Sequence, residues 1–169
     1  MKKIHLKSID STNLFAKREL KGFPKDQLTL IIADIQTRGR GQFEREWISP
    51  KGNLYMTSVR FLPDYPKDLT KIPLKFARNI QKWLLQYGVQ AKIKWPNDLM
   101  VNQKKIAGIL CETAWFEGEL AIILGVGLNV NMTTEEASKI DQAATSLKIE
   151  TGQSFDLSQI VDDFPLPEL

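Results

Sequence analysis

The fold class of this chain is decided by one stretch, residues 99–131, LMVNQKKIAGILCETAWFEGELAIILGVGLNVN. It contains apolar runs separated by two polar turns, NQKK and FEGE, and the second turn is tight around Gly118. Tight turns of this kind join neighbouring antiparallel strands, whereas parallel strands need a long crossover connection. The stretch therefore predicts an antiparallel meander, and it excludes a strict alternation of strands and helices along the whole chain.

Upstream of this meander, the sequence predicts two helices and three strands. The first helix begins with Ser11 or Thr12 as its N-cap, and the second lies within residues 68–88 and ends at Gly88. The strands are LTLIIAD (28–34), NLYMTSVRF (53–61) and AKIKW (91–95). The first of these strands is a continuous apolar run and is expected to be buried on both faces. We expect an α/β or α+β fold, a mixed, largely antiparallel sheet with helices packed against it.

The C-terminal segment predicts only a short helix. DLSQIVDDF (156–164) begins like a capped amphipathic helix, and the two prolines of PLPEL then prevent its continuation. A helix of barely two turns that buries little is marginal alone. We therefore expect the chain to be truncated at this end.

Length and composition narrow the class of protein. The 169 residues, 43% hydrophobic and 25% charged, indicate one globular domain with a full core. A net charge of +3 and a pI near 8.9 suit anionic small molecules without requiring a nucleic acid. No segment approaches the ~20 apolar residues of a membrane span, and residues 1–10 lack the apolar core of a signal peptide. We expect a cytoplasmic protein that binds neither a membrane nor a nucleic acid.

Few side chains are available for nucleophilic or metal chemistry. The only cysteine, Cys111, lies in the apolar run IAGILCETA and is expected to be a core thiol in a reducing compartment. The only histidine is His5, so the sequence excludes the usual zinc clusters and leaves little room for a Ser-His-Asp triad. The chemistry must therefore rest on Arg, Lys and Asp side chains, backbone amides and a cation such as magnesium.

An arginine- and glycine-rich stretch, QTRGRGQFEREW (36–47), is the first candidate for ligand binding. Backbone amides next to Gly39 and Gly41 can approach a phosphate or carboxylate closely because no side chain intervenes. Trp47 offers a flat face for stacking, and charge-assisted hydrogen bonds can come from Arg38, Arg40 and Arg45. Taken alone, such a stretch is more often a solvated basic turn, and a nucleic-acid patch is a further alternative.

The second candidate is KIKWPNDLM (92–100), where Asn97 and Asp98 present an amide and a carboxylate at a strand-edge turn. A carboxylate in this position can hold Mg²⁺ directly or through water, beside phosphate oxygens. Because Asn and Asp favour turns, the alternative is a purely structural role in which this segment only reverses the chain.

The third candidate combines KKIAGIL (104–110) with GVGLNVN (125–131). Lys105 heads a strand in which Gly108 would let a ligand lie flat on the sheet, and Gly125 and Gly127 repeat this device on the following strand. The alternative is a bulge or close strand packing. The two glycines of GVG are not a dinucleotide fingerprint, because no helix and no third glycine follow.

Together these motifs resemble one family. STN, ADIQTRGRGQFEREWISPKGNLY, KWPNDLM, KKIAGIL and GVGLNVN, in this order over residues 11–131, resemble the catalytic domain of biotin protein ligases. The resemblance implies a fold similar to that of class II synthetases and lipoate ligases. It also implies an enzyme that uses ATP and Mg²⁺ to make biotinoyl-5′-AMP and then transfers biotin to a lysine of a biotin carboxyl carrier protein.

The resemblance also implies roles for individual residues, to which the patterns above add a few. The catalytic residues would be Lys105, Arg40 and Asp98, with Asp98 also holding Mg²⁺. The biotin contacts would be Ser11, Thr12, Asn13, Gln36, Gly39, Arg40, Gly41, Gln42, Lys105, Gly108, Gly125 and Gly127. The ATP and adenylate contacts would be Arg45, Trp47, Lys94, Asn97 and Asn129. Gln42 stands where several members of the family carry arginine, and it supplies no charge to retain the adenylate.

For the whole chain, residues 1–169, the expectation is a single catalytic domain without an N-terminal DNA-binding domain or a C-terminal β-domain. The expected ligands and partners are biotin, ATP and the carrier domain, and a homodimer is possible. Three alternatives stay open at this point: a lipoate or octanoate ligase or transferase of the same fold, a basic nucleic-acid-binding module, and an inactive remnant.

Overall fold

The structure is a computed structural model that describes residues 1–167. Its strands are β1 (Lys2–Leu6), β2 (Thr29–Ala33), β3 (Leu54–Leu62), β4 (Lys92–Lys94), β5 (Asp98–Val101), β6 (Lys104–Phe116) and β7 (Glu119–Leu128). Its α-helices are α1 (Thr12–Arg18), α2 (Ile72–Leu85), α3 (Thr134–Ser138), α4 (Leu147–Thr151) and α5 (Leu157–Asp163). The seven strands form one sheet in the order β1-β2-β3-β7-β6-β5-β4. Only β1 and β2 pair in parallel, which confirms the predicted mixed, largely antiparallel sheet with helices against it.

The predicted meander is formed by β5, β6 and β7. Two-residue turns join these strands, and both central residues of each turn have positive φ: 46° and 66° at Asn102 and Gln103, and 49° and 79° at Glu117 and Gly118. This is the turn geometry that matches the twist of an antiparallel hairpin. The second turn uses glycine where that conformation is free of strain.

One face of the sheet is covered by α2. Its buried residues Phe76, Ala77, Ile80 and Leu84 follow helical spacing and join the main core cluster. On the sheet side this cluster contains alternate residues of the central strands, such as Met56 and Val126.

The opposite face is only partly covered. The buried face of α1, with Ala16, packs in a smaller cluster with Ile31, Val59 and Ile123. Residues two positions along from Val59 and Ile123 share this face, because side chains alternate along a strand. Those residues are Thr57 and Gly125, and the sheet surface there is left with little side-chain cover of its own.

Three local features differ from the sequence expectations. Strand β1 was not predicted, because KKIHL has only two partly buried residues and too few apolar positions to show alternation. Ser11 occupies the N-cap position of α1, but its side chain makes no capping hydrogen bond. The second helix ends at Leu85 rather than at Gly88, although Gly88 does adopt the left-handed conformation, with φ 73°.

The expectation that the C-terminal helix buries little was wrong. Asp156 caps α5 by accepting from the Ser158 amide, and Ile160 and Phe164 are 2% and 3% exposed. The Phe164 ring meets Phe76 and Trp83 edge-on, with ring centroids 6.2 and 5.2 Å apart. Two turns of helix are enough here because tertiary packing supplies most helical stability.

Cys111 is partly buried against the main core rather than fully enclosed. Burial and the neighbouring Glu112 carboxylate raise the pKa of its thiol to about 11. The thiol is therefore an unreactive packing group at neutral pH. Within residues 1–167, no helix has the length and apolar character needed to cross a membrane.

Candidate active site

A cavity of about 430 Å³ opens on the partly covered face of the sheet, and we refer to it as the site cavity. Its floor includes Gly108, Gly125 and Gly127, on neighbouring strands β6 and β7. Its walls are residues 41–42 and 45–48, Asn97 with Asp98, and the segment 139–142. The second and third sequence candidates and half of the first therefore converge on one place.

The glycines of the floor permit close approach, as predicted, but protein side chains lie on them. A Cβ at Gly127 would fall 2.5 Å from the Trp47 indole nitrogen, and one at Gly108 would fall 3.1 Å from the same ring. Likewise, a Cβ at Gly125 would clash with the side-chain oxygen of Asn13. A side chain at Gly125 or Gly127 would force Asn13 or Trp47 to move, whereas one at Gly108 would make a tight contact with the Trp47 ring.

The Trp47 ring carries an unsatisfied group. Among the described residues its indole N–H has no hydrogen-bond partner although the nitrogen is buried. An unpaired buried donor costs about 1–3 kcal/mol, which an acceptor on a bound ligand would remove. The Lys105 ammonium lies 5.1 Å from the ring centroid, close enough for a cation–π contact.

Lys105 and Asp98 form an ion pair at the cavity. Their charged atoms are 2.8 Å apart, and the side chains are 17% and 16% exposed. The backbone of Lys105 is fixed by hydrogen bonds to Ala143 and Thr145. Two residues expected to serve different parts of a ligand are therefore paired with each other in this structure.

Asp98 is a limited metal ligand by itself. Within residues 1–167 there is no group of three His, Cys, Asp or Glu side chains that could hold a metal ion. Mg²⁺, however, often binds through one carboxylate, several waters and substrate phosphates rather than in an all-protein cage. Asp98 therefore fits a Mg²⁺ ion that is held mainly by water and substrate phosphates.

Asn97 and Asn129 line the cavity but use their amides to brace its walls. The Asn97 side chain donates to the Ile109 carbonyl at 2.6 Å, and the Asn129 side chain donates to the Thr145 carbonyl at 2.9 Å. Lys94 is exposed on the edge strand β4 and does not line the cavity.

Residues 36–47, which we name the Arg-Gly loop, form a small hairpin. The Gly41 amide donates to the Arg45 carbonyl at 2.7 Å, and the Trp47 amide donates to the Gly39 carbonyl at 2.9 Å. Phe43 is at the tip, 85% exposed and with φ 55°. The Gly41 amide, expected to face a ligand, is thus engaged within the loop. Gly39 is buried, and a Cβ there would clash with the Trp47 carbonyl and the Ser49 hydroxyl.

Gln36 ties the Arg-Gly loop to the start of α1. Its side-chain oxygen accepts from the Thr12 amide at 2.9 Å, and its side-chain nitrogen donates to the Ser49 hydroxyl at 3.0 Å. Ser11 and Thr12 are almost fully buried, at 2% and 4% exposure. These predicted residues lie together on the same face of the sheet as the cavity, but they are not part of its lining.

The structure adds residues that the sequence motifs did not include. Glu112 on β6 accepts hydrogen bonds from Asn13 and Lys17, and Thr57 on β3 donates to Asn13. A signal for Glu112 did exist, because alternation along β6 places residue 112 on the same face as residues 108 and 110. No pattern pointed to the wall formed by residues 139–142, which lie far along the chain from the other motifs.

Three comparisons connect this geometry to known proteins. The sequence model of the biotin/lipoate A/B protein ligase family matches residues 5–129. Bifunctional ligase/repressor BirA of Bacillus spizizenii is 37% identical over 139 residues, and biotin–[acetyl-CoA-carboxylase] ligase of Paracoccus denitrificans is 33% identical over 162 residues. The solved structure of biotin protein ligase from Aquifex aeolicus in complex with biotin and ATP matches with a TM-score of 0.78 at 32% identity.

These matches cover most of this chain but less of the relatives. They include 79% of the chain and 42% of BirA, and 90% of the chain and 65% of the P. denitrificans ligase. The A. aeolicus match includes 96% of this chain and 66% of that one. The family match contains β2 to β7, the Arg-Gly loop and the floor of the site cavity.

Proposed function

The chain belongs to the biotin/lipoate A/B protein ligase family, and on that premise we propose that it activates biotin with ATP and transfers it to a carrier protein. The product of the first step would be biotinoyl-5′-AMP, and the acceptor would be a lysine of a biotin carboxyl carrier protein. The observation that carries this proposal is the site cavity, in which the Lys105–Asp98 pair lies beside a glycine floor. The similar A. aeolicus protein has been solved with biotin and ATP.

The chemistry requires two anions to meet. An oxygen of the biotin carboxylate attacks the α-phosphorus of ATP, and the bond to pyrophosphate breaks. The Lys105 ammonium is positioned at the cavity and can offset the repulsion between carboxylate and phosphate. In the second step the amine of the carrier lysine attacks the acyl carbon and AMP leaves, so the enzyme needs no nucleophile of its own.

We assign Asp98 as the residue that would hold Mg²⁺. When bound, Mg²⁺ would offset negative charge on the phosphate oxygens. The carboxylate of Asp98 is now held by Lys105 at 2.8 Å, so recruiting it to a cation would free the ammonium for the substrate anions. The two residues would thus exchange a mutual contact for contacts with the ligands.

The other contacts follow from position. Trp47 and Arg45 line the cavity and are assigned to the adenylate, whereas Thr12, Asn13 and Gln36 lie beside the cavity on the same face of the sheet and are assigned to biotin. Gln42 also lines the cavity, and as an uncharged residue it would hold the adenylate by hydrogen bonds alone.

Biotin is favoured over lipoate as the acid. The similar proteins from P. denitrificans and A. aeolicus are both named for biotin. Membership in a ligase family supports a ligase, rather than a basic nucleic-acid-binding module, as the function of the site cavity. Calorimetric titration with biotin and with lipoic acid tests the choice, because only biotin should release heat and lipoic acid should not displace it.

The Arg-Gly loop should become resistant to trypsin when ligands bind. Arg45, beside the loop tip, is exposed, so we expect it to be cut in the free protein. Biotin with ATP should slow this cleavage at least about tenfold, because ordering the loop over the ligand reduces the population open to the protease.

The control is Lys67, which is exposed in the connection between β3 and α2 and is remote from the cavity lining. Its cleavage rate should not respond to the ligands. Equal rates at Arg45 with and without saturating biotin and ATP would show that the loop does not close.

A further inference from the structure

The side chain of Asn13 lies beside the site cavity, on the same face of the sheet, over a row of residues from three strands. Thr57 on β3 pairs with Gly125 on β7, and Gly125 pairs with Leu110 on β6, so the three residues form one row across the sheet. The side chain of Asn13 lies on this row, against Gly125. Gly125 and Leu110 also line the cavity, so the row joins Asn13 to the space for a ligand.

Glu112 is an ionised acceptor beside Asn13. One carboxylate oxygen accepts from Lys17 at 2.6 Å, the other accepts from Asn13 at 2.9 Å, and the side chain is 18% exposed. Burial raises the pKa of Glu112, but hydrogen bonds from Lys17 and Asn13 and the charges of Lys17 and Arg40 outweigh burial and leave it lowered. Glu112 therefore accepts and does not donate at neutral pH.

This carboxylate fixes the direction of the Asn13 amide. The two amide hydrogens of Asn13 are directed to Glu112 and to the Leu110 carbonyl. The side-chain oxygen of Asn13 must then face Thr57, 2.6 Å away, and it can only accept. The hydroxyl hydrogen of Thr57 is consequently committed to Asn13.

The resulting cluster has no hydroxyl hydrogen left to donate to a ligand. We name Thr12, Asn13, Gln36 and Thr57 the acceptor cluster. Besides the Thr57–Asn13 contact, the Thr12 hydroxyl lies 2.8 Å from Thr57 and 3.1 Å from the Gln36 side-chain oxygen. The Thr57 hydrogen goes to Asn13, the Thr12 hydroxyl hydrogen goes to Thr57 or Gln36, and the Gln36 oxygen also accepts from the Thr12 amide. Both hydroxyl hydrogens are thus used inside the cluster, which can accept a hydrogen bond from a ligand but has none to donate to it.

We propose that Glu112 is a positioning residue that turns Asn13 and thereby makes this cluster accept a hydrogen bond from the ligand. The proposal rests on the proposed function, because the ureido ring of biotin carries N–H donors and its carboxylate does not. Lys17 holds the carboxylate in place but does not contact the cluster. Glu112 on β6 thus determines that the pocket selects a hydrogen-bond donor, although Glu112 itself does not touch the ligand.

Glu112→Gln tests the proposal. The side-chain N–H of glutamine can donate to the side-chain oxygen of Asn13, which lets the Asn13 amide turn over. The NH₂ group of Asn13 would then face Thr57 in place of its oxygen. We expect biotin to bind about tenfold more weakly by calorimetry. The adenylation rate at saturating biotin should stay within about threefold of the wild type, because the reacting atoms are not touched.

Two further variants separate the effect of the Asn13 amide direction from the effect of the Lys17–Glu112 ion pair. Lys17→Gln removes the ion pair but keeps the Glu112–Asn13 hydrogen bond, so biotin affinity should change less than about threefold. The double variant Glu112→Gln/Asn13→Asp restores an acceptor facing Thr57, because an aspartate at position 13 cannot donate, and it should regain most of the lost affinity. It also carries the test if Glu112→Gln alone does not fold.

The outcomes are distinguishable. If the folded wild-type protein binds no biotin, the proposed function fails. If the wild type binds and Glu112→Gln binds equally well, the role of Glu112 is overturned. It is also overturned if Lys17→Gln loses as much affinity as Glu112→Gln, or if the folded double variant recovers none.

Discussion

Replacing Lys105 by alanine should slow the formation of biotinoyl-5′-AMP roughly 100-fold or more. Loss of one charged donor aimed at developing negative charge typically costs about 3 kcal/mol of transition-state stabilisation. Lys105 lines the site cavity, its side chain lies against Gly108, and its ammonium is 2.8 Å from the Asp98 carboxylate. Single-turnover adenylation with saturating biotin and ATP measures the effect directly.

Two controls separate catalysis from folding. Lys104 is the neighbouring lysine, is exposed and does not line the cavity, so Lys104→Ala should leave the rate unchanged. Lys105→Met keeps the aliphatic stem beside Trp47 and should be as slow as Lys105→Ala if the ammonium is the active group. A folded Lys105→Ala variant with wild-type single-turnover kinetics would remove this residue from the chemistry.

Replacing Phe164 by alanine should lower the free energy of unfolding by about 3 kcal/mol, because it empties a well-packed aromatic site. The Phe164 ring is 3% exposed and meets Phe76 and Trp83 edge-on. Urea denaturation measured by circular dichroism gives the change in free energy.

Leu85 provides the comparison. It lies at the end of α2 and is 53% exposed, so Leu85→Ala should change the free energy of unfolding by less than about 0.5 kcal/mol. If Phe164→Ala were as mild as Leu85→Ala, the C-terminal segment would not be part of the core.

Local patterns were sufficient for most of the sheet. The meander was predictable because its turns are two residues long and carry their own conformational signals, with glycine at position 118. Strand β2 was predictable because four of its five residues are apolar in one continuous run, and all five are buried. Strand β1 and the burial of Phe164 were not predictable in this way, since both depend on contacts with residues far along the chain.

The candidate site likewise has a part that was predictable from local motifs and a part that depends on tertiary contacts. The order of the motifs predicted that Lys105, Asp98 and the glycines belong to one site, and all of them line the site cavity. The ion pair between Lys105 and Asp98 depends on a register shift between Leu99 and Met100, which no motif indicates. The packing of Trp47 on Gly127 joins two segments that are distant in sequence. Residue types can suggest what a site contains, whereas tertiary geometry decides which of its members touch.

The most direct test of the account is the adenylation reaction itself. Purified, folded protein would be incubated with biotin, magnesium and ATP labelled at the α-phosphate, and the products separated by chromatography. We predict labelled biotinoyl-5′-AMP that requires biotin and is not formed when lipoic acid replaces it. A folded chain that forms no labelled adenylate and shows no heat of biotin binding would contradict the proposed function.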